Sequence, residues 1–214
     1  MASSLQLFIS PGACSLAPHI LLREAGLTFT LVKLDVKQNG FPEEYKHINS
    51  KGKVPILLID PSTILTEGVA IMTYISSLAP EKNLFGKTPL EIARAYEWLN
   101  YISGTLHGQA FGGLFRPGRF SDDESVHGGI RDKARKNVQD GFELIESKLE
   151  SGFAVGDGFT AVDAYLLVFY RWGNSVGFNM EKNYPKYTSL VEGVVKREKV
   201  VETLAEEGIK ALVD

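Results

Sequence analysis

The chain is poor in the residues that build disulfides, metal sites and membrane spans. It has one cysteine, Cys14, so no internal disulfide can form, which fits a reducing compartment. Its four histidines, His19, His47, His107 and His127, have neither ligand spacing nor companion cysteines, so no metal is expected. There is no basic excess: the net charge is −3 and the isoelectric point ≈ 5.9, and nucleic acid is not an expected partner. No apolar run approaches the roughly 20 residues needed to cross a bilayer. The start, Met1-Ala2-Ser3-Ser4, lacks the charged region and long apolar core of a secretory leader, so a cytoplasmic protein without a membrane partner is expected. No internal repeat or low-complexity stretch is present. What remains is 214 residues with 44% hydrophobic content, enough for a substantial core in one large domain or two small ones.

The single cysteine lies in Ser10-Pro11-Gly12-Ala13-Cys14-Ser15, between an apolar strand pattern (Leu5, Leu7, Phe8, Ile9) and a stretch of helical period (Ala17, Ile20, Leu21, Ala25) that stops at Gly26. A thiol is thereby placed at a helix N-terminus. Unpaired N–H groups and the positive end of the helix dipole favour an anion there, so a thiolate of Cys14 or of a bound small thiol is expected to be stabilised. A second strand pattern covers Thr28 to Val36, and Lys37 to Lys53 reads as loop with a short helix. The run Pro55-Ile56-Leu57-Leu58-Ile59 is too short for a core helix and predicts a buried strand that begins at proline, where no ladder donor is needed. Ile64 and Leu65 form a short return strand after the Asp60-Pro61-Ser62 turn. Thr66-Glu67-Gly68 then opens a helix with Val69, Met72, Ile75 and Leu78 on one face, closed before Pro80.

Ala79 to Thr88 reads as a linker, and strand patterns vanish beyond it. Thr88-Pro89-Leu90-Glu91 combines an N-cap, a first-turn proline and a capping-box acid. Ile92, Ala95, Leu99, Ile102 and Leu106 predict the core stripe of a helix about four turns long, which Gly104 should loosen at its end. Tyr96, Asn100, Ser103 and His107 form a different stripe, free to face the first domain. Thr160 and Asp163 pair as a second capping box, and the unbroken apolar run from Tyr165 to Tyr170 makes the helix that follows central; Asp163 is read as structural. Asp132 to Leu149 and Tyr187 to Val213 are amphipathic, and their charged faces read as solvated surface.

The stretches SPGACSLAPHILLREAG (Ser10 to Gly26), NSKGKVPILLID (Asn49 to Asp60), LTEGVAIMTYI (Leu65 to Ile75), EWLNYI (Glu97 to Ile102) and LHGQAFGGLFRP (Leu106 to Pro117) resemble the beta class of the glutathione transferases over nearly the whole chain. That resemblance implies a thioredoxin-like, glutathione-binding α/β domain over residues 1–82. An all-helical domain carrying the electrophile pocket would follow over residues 88–214, and the protein would be a homodimer. It implies glutathione as co-substrate, with no metal, and conjugation of its thiolate to hydrophobic electrophiles. By the same resemblance the backbone of Val54, beside a Pro55 whose cis bond sequence alone does not show, pairs with the cysteinyl part of glutathione. Glu67 and Gly68 receive its γ-glutamyl end, and Asn100 also belongs to the glutathione site. Cys14 and His107 flank the sulfur, Ser15 competes for the hydrogen-bond role, and Lys37 or Asn39 contacts the glycine carboxylate. The electrophile itself is not readable; Phe111, Phe115, Arg116 and Trp172 are candidates for its pocket.

The chemistry needs no metal. Lowering a thiol pKa by about two units takes about 2.7 kcal/mol, and one hydrogen bond to charged sulfur supplies about 1.5–3 kcal/mol. Two alternatives stand beside conjugation. A cysteine next to a bound tripeptide could form a mixed disulfide and reduce disulfides. A non-catalytic scaffold or ligand-binding protein of the same fold would be expected to lose the thiol-site residues, which this chain keeps.

Overall fold

The computed structural model describes residues 5–36, 40–150 and 152–212. Four strands, β1 (Leu5–Ile9), β2 (Phe29–Lys33), β3 (Ile56–Asp60) and β4 (Thr63–Thr66), form one sheet in the order β2-β1-β3-β4. β1 runs parallel to β2 and antiparallel to β3, and β3 pairs antiparallel with β4 through an irregularity between Leu58 and Asp60. β2 is shorter than its apolar pattern, and among the described residues of the following loop Glu43–Tyr45 form a 3₁₀ turn. The inner strands bury Leu7, Phe8, Ile9, Ile56 and Leu57. Helix α1 (Leu16–Glu24), buried from Leu16 through Leu22, and α2 (Gly68–Leu78) cover one face of the sheet. On the other face Phe8, Leu34 and Ile56 are covered by Tyr45, Ile48 and Val54 from the loop. This is the thioredoxin-like arrangement expected of the first half.

The second half is helical. Thr88 caps α3 (Pro89–Asn100) through the expected capping box with Glu91. Two expectations about this helix need correction. Ile92, placed on the core stripe, is 40% exposed, and Trp98 is buried instead. The helix also runs well past four turns: around Gly104 it loosens into a π-helix over Tyr101–Phe111 and then resumes as α-helix over Gly112–Phe115. In the π-wound stretch Ile102, Leu106 and Ala110 are buried at a spacing of four, the wider period of i→i+5 winding. Ser103 and His107 therefore share one face.

α4 (His127–Lys148) packs beside that stretch, and α5 (Ala161–Ser175) runs through the centre, buried at every position from Ala161 to Arg171. Asp163 is structural, as read: its carboxylate accepts from Ala154 N (2.8 Å), Thr160 N (2.7 Å) and Thr160 Oγ1 (2.9 Å). Burial outweighs those bonds and pushes the carboxyl up to about 6. The final amphipathic stretch is two helices, α6 (Pro185–Val195) and α7 (Glu198–Glu207). Its charged faces are not all solvated, because Glu207 is buried against α1. One continuous apolar core joins β1, α1 and α2 to α3, α5 and α7.

Candidate active site

β1 ends at Ile9, and the chain turns through Ser10–Ala13, where Ala13 N–H donates to Ser10 O (2.9 Å). Gly12 sits at φ 68°, a conformation that glycine adopts without a Cβ penalty. Both of its polar groups are held by the helical half. Gly12 N–H donates to Glu207 Oε2 (2.8 Å), and Trp172 Nε1–H donates to Gly12 O (2.9 Å). Glu207 Oε1 lies 2.9 Å from His19 Nδ1, and His19 Nε2 lies 2.9 Å from Glu206.

This turn presents Cys14, whose Sγ donates to the Val54 carbonyl at 3.5 Å. Burial pushes its thiol up to about 11, although its own N–H, Arg116 and the Ser15 N–H all favour the charged form. The expectation of a stabilised Cys14 thiolate is thus corrected for the free protein. Moving the pKa from 9.0 to about 11 corresponds to about 2.7 kcal/mol, against about 0.3–1 kcal/mol from a helix N-terminus. Ser15 is also not where it was expected. Its hydroxyl is buried, accepting from Ser10 N–H (3.1 Å) and donating to Ser10 O (3.3 Å), so it holds the turn and faces no ligand.

The bond between Val54 and Pro55 is cis. The Asn49 amide donates to Lys53 O (2.8 Å) and fastens the loop that leads to it. Glu67 immediately precedes α2 at φ 70°; its side chain is 71% exposed and is ion-paired with Lys51, which also donates to Thr66 Oγ1 (2.8 Å). A Cβ added to Gly68 would meet Pro55 Cγ at 3.9 Å, ordinary contact, so the missing side chain is not forced by space. Lys37 and Asn39 lie outside the described residues.

Across from Cys14 stands a wall of aromatic rings. His107 Nδ1 lies 3.3 Å from the Tyr165 hydroxyl, and its ring centroid lies 5.5 Å from Phe169 and 5.3 Å from Trp172. Burial, with Arg119, Arg116 and Lys53 adding to it, holds this imidazole down to about 4, so it is neutral at physiological pH. Of the pocket candidates, Phe111 is fully buried and backs the wall, while Phe115 is 46% exposed with its ring 5.5 Å from Trp172. Asn100 is not brought to the cluster: its amide donates to Tyr96 O (2.8 Å) on the exposed side of its own helix.

Tyr165, Arg119, His19 and Glu207 were not singled out from the sequence. For Glu207 a signal exists, because Val200, Thr203 and Leu204 place it on the buried stripe of α7. Among the described residues no cluster of three or more metal-binding side chains occurs.

The comparisons with known proteins agree on one family. The glutathione S-transferase N-terminal domain matches residues 3–77 and its C-terminal domain residues 129–198. Glutathione S-transferase GstA of Escherichia coli O157:H7 is 37% identical over 211 residues, covering 96% of this chain and 100% of that protein. A beta-class glutathione S-transferase of Sphingomonas chungbukensis superposes with a TM-score of 0.80 at 34% identity, covering 96% and 100% of the two chains. A glutathione transferase homologue from sulfitobacter, solved with bound glutathione, reaches a TM-score of 0.90 at 28% identity over 98% and 100%.

Proposed function

The chain belongs to the glutathione S-transferase family and is a glutathione transferase, and from that premise we propose which of its residues do the work. Glutathione is the co-substrate. Its cysteinyl part pairs with the Val54 backbone beside cis-Pro55. Its γ-glutamyl carboxylate meets the N–H groups at the start of α2, and its ammonium takes the place of Lys51 on Glu67. When the peptide occupies the Val54 carbonyl, the Cys14 S–H is released from that acceptor and donates to the incoming sulfur.

His107 serves as a donor. Taking a proton from a thiol of pKa about 8.5 onto an imidazole held near 4 would be uphill by about 6 kcal/mol, whereas an imidazole N–H can hold the thiolate once solvent has removed the proton. The Tyr165 hydroxyl on Nδ1 orients the ring. The thiolate then attacks an electrophilic carbon lying against Phe115 and Trp172: the C–S bond forms and the leaving group departs with its electron pair. Ser15 and Asn100 have no part, since their hydrogen-bonding groups are committed elsewhere.

The observation that carries the proposal is the convergence of Cys14 Sγ, the Val54 carbonyl and the cis peptide at one point. Retention on immobilised glutathione, followed by paired assays of conjugation and disulfide reduction, tests it. Retention with conjugation is expected; binding without either activity would favour the scaffold reading. Disulfide reduction through Cys14 is the second reading, and the buried, protonated thiol weighs against it.

A homodimer belongs to the same proposal. Ile64, Leu78, Leu90 and Ile92 leave apolar surface exposed on β4, α2 and the start of α3. So does a cytoplasmic setting, because a free cysteine and a thiol co-substrate both need a reducing compartment. Among the described residues no helix is long and apolar enough to cross a membrane.

A further inference from the structure

Three cations near the thiol site have no counter-ion among the described residues. Arg116 precedes and Arg119 ends the 3₁₀ turn that closes the long helix, where Arg119 N–H donates to Arg116 O (3.0 Å), and Lys53 lies on the loop before cis-Pro55. None of the three has a carboxylate within ion-pairing distance among the described residues, whereas Lys51, Lys87, Arg94 and Arg197 each do. Arg197, paired with Glu24, has its charged form favoured; Arg119 has it disfavoured, by burial and by Arg116 beside it. All three bear on His107, and the two arginines also interact with the Cys14 sulfur.

The position of the arginines is specific. Arg116 directly follows Phe115, whose half-exposed ring contacts Trp172, and Trp172 is hydrogen-bonded to the turn that carries Cys14. A flat ring resting on Phe115 and Trp172 would lie next to the chain segment that carries both arginines. Guanidinium is suited to planar, bidentate recognition of a carboxylate. Both arginines are exposed, so an anion can reach them from solvent, and two like charges close together favour a ligand of the opposite sign.

We propose that this site prefers aromatic electrophiles bearing an anionic group such as a carboxylate, with Arg116 and Arg119 holding the anion while the ring lies on Phe115 and Trp172. This inference rests on the conjugation reading above and names its substrate class. For a chloronitrobenzoate, thiolate sulfur attacks the ring carbon that bears chlorine, the C–S bond forms, and the C–Cl bond breaks with its electron pair leaving as chloride. No other reactant is needed. A carboxylate does not activate the ring, so the preference is one of binding.

The test uses two ready-made conjugates, S-(4-carboxy-2-nitrophenyl)glutathione and its 4-carbamoyl counterpart, with glutathione itself as a third ligand, all measured by calorimetry. The wild-type protein should bind the carboxylate about tenfold more tightly than the amide, a preference that shrinks with added salt. The Arg116→Ala, Arg119→Ala double variant should lose that preference and keep its affinity for glutathione to within about twofold, while the corresponding double lysine variant should retain part of the preference. Equal binding of the two conjugates by wild type, with glutathione bound normally, would overturn this inference alone. Equal weakening of all three ligands in the alanine variant would also overturn it, by showing that the arginines hold the peptide. Failure of glutathione itself to bind the wild type would overturn the conjugation reading together with it.

Discussion

His19 and His107 are both helix-borne and enclosed, and both are hydrogen-bonded, yet their surroundings ask opposite things of them. His19 lies between Glu206 and Glu207, with one carboxylate 2.9 Å from each ring nitrogen. His107 lies among Phe169, Trp172 and the Tyr165 hydroxyl, under the field of three cations, and is kept neutral. Burial alone therefore does not define a histidine's task. The sign of the charges placed around it does, and here one histidine fastens two helices while the other stands in the aromatic wall with Tyr165, Phe169 and Trp172.

His19→Ala should have the largest effect. It leaves the buried Glu207 carboxylate with the Gly12 N–H but without its histidine partner, which costs about 3 kcal/mol in unfolding free energy measured by denaturant titration. A loss under about 1 kcal/mol would make the two histidines alike in being dispensable to the fold.

His107 should show itself in acid. Its pKa is about 4 folded against 6.5 in the unfolded chain, so the unfolded state binds more protons between those values. The stability tied to its neutrality is fully present above about pH 6.5 and is lost as pH falls towards 4, by about 3 kcal/mol. Asp163 acts in the opposite sense: with its pKa raised from 3.8 to about 6, its contribution grows as pH falls through that window. Subtracting the stability curve of His107→Ala from that of the wild type cancels Asp163 and isolates the imidazole. A flat difference curve would mean that His107 is not held neutral.

At neutral pH, His107→Ala should lower kcat/KM for conjugation about 10²-fold, or about 2.7 kcal/mol, without a matching loss of stability. Cys14→Ala should cost no more than about tenfold, roughly 1.4 kcal/mol, because Cys14 is one donor among several. A larger loss for Cys14 than for His107 would reverse their roles. Unimpaired activity in the double variant would remove both from the site.

The parts of this molecule that were legible in its sequence are those decided locally. Thr88 with Glu91, and Thr160 with Asp163, mark helix starts because capping involves residues three apart, and Pro55 marks a strand start because it lacks a donor. The isomer of the Val54–Pro55 bond is set by tertiary contacts and could not be read. The raised Cys14 thiol was not legible for a related reason: the helix end is visible in the sequence, but the degree of burial that overrides it is not. Ser15 looked available because a one-letter code does not say where a hydroxyl points. The stripe of Tyr96, Asn100, Ser103 and His107 was drawn with α-period spacing, but the winding from Tyr101 on is wider than α, so Asn100 parts from Ser103 and His107.

Gly12 has its N–H and C=O claimed by side chains 195 and 160 residues downstream. During synthesis, then, the strands on either side of the thiol turn can pair long before the turn itself acquires its partners. β1, β2 and β3 leave the ribosome early, Trp172 follows late, and Glu207 comes near the end of the chain. A nascent or truncated chain can thus own a formed sheet and a cysteine at its edge without presenting that cysteine in working geometry. The turn that carries Cys14 therefore takes its final form only once residues as far along the chain as Trp172 and Glu207 have folded against it.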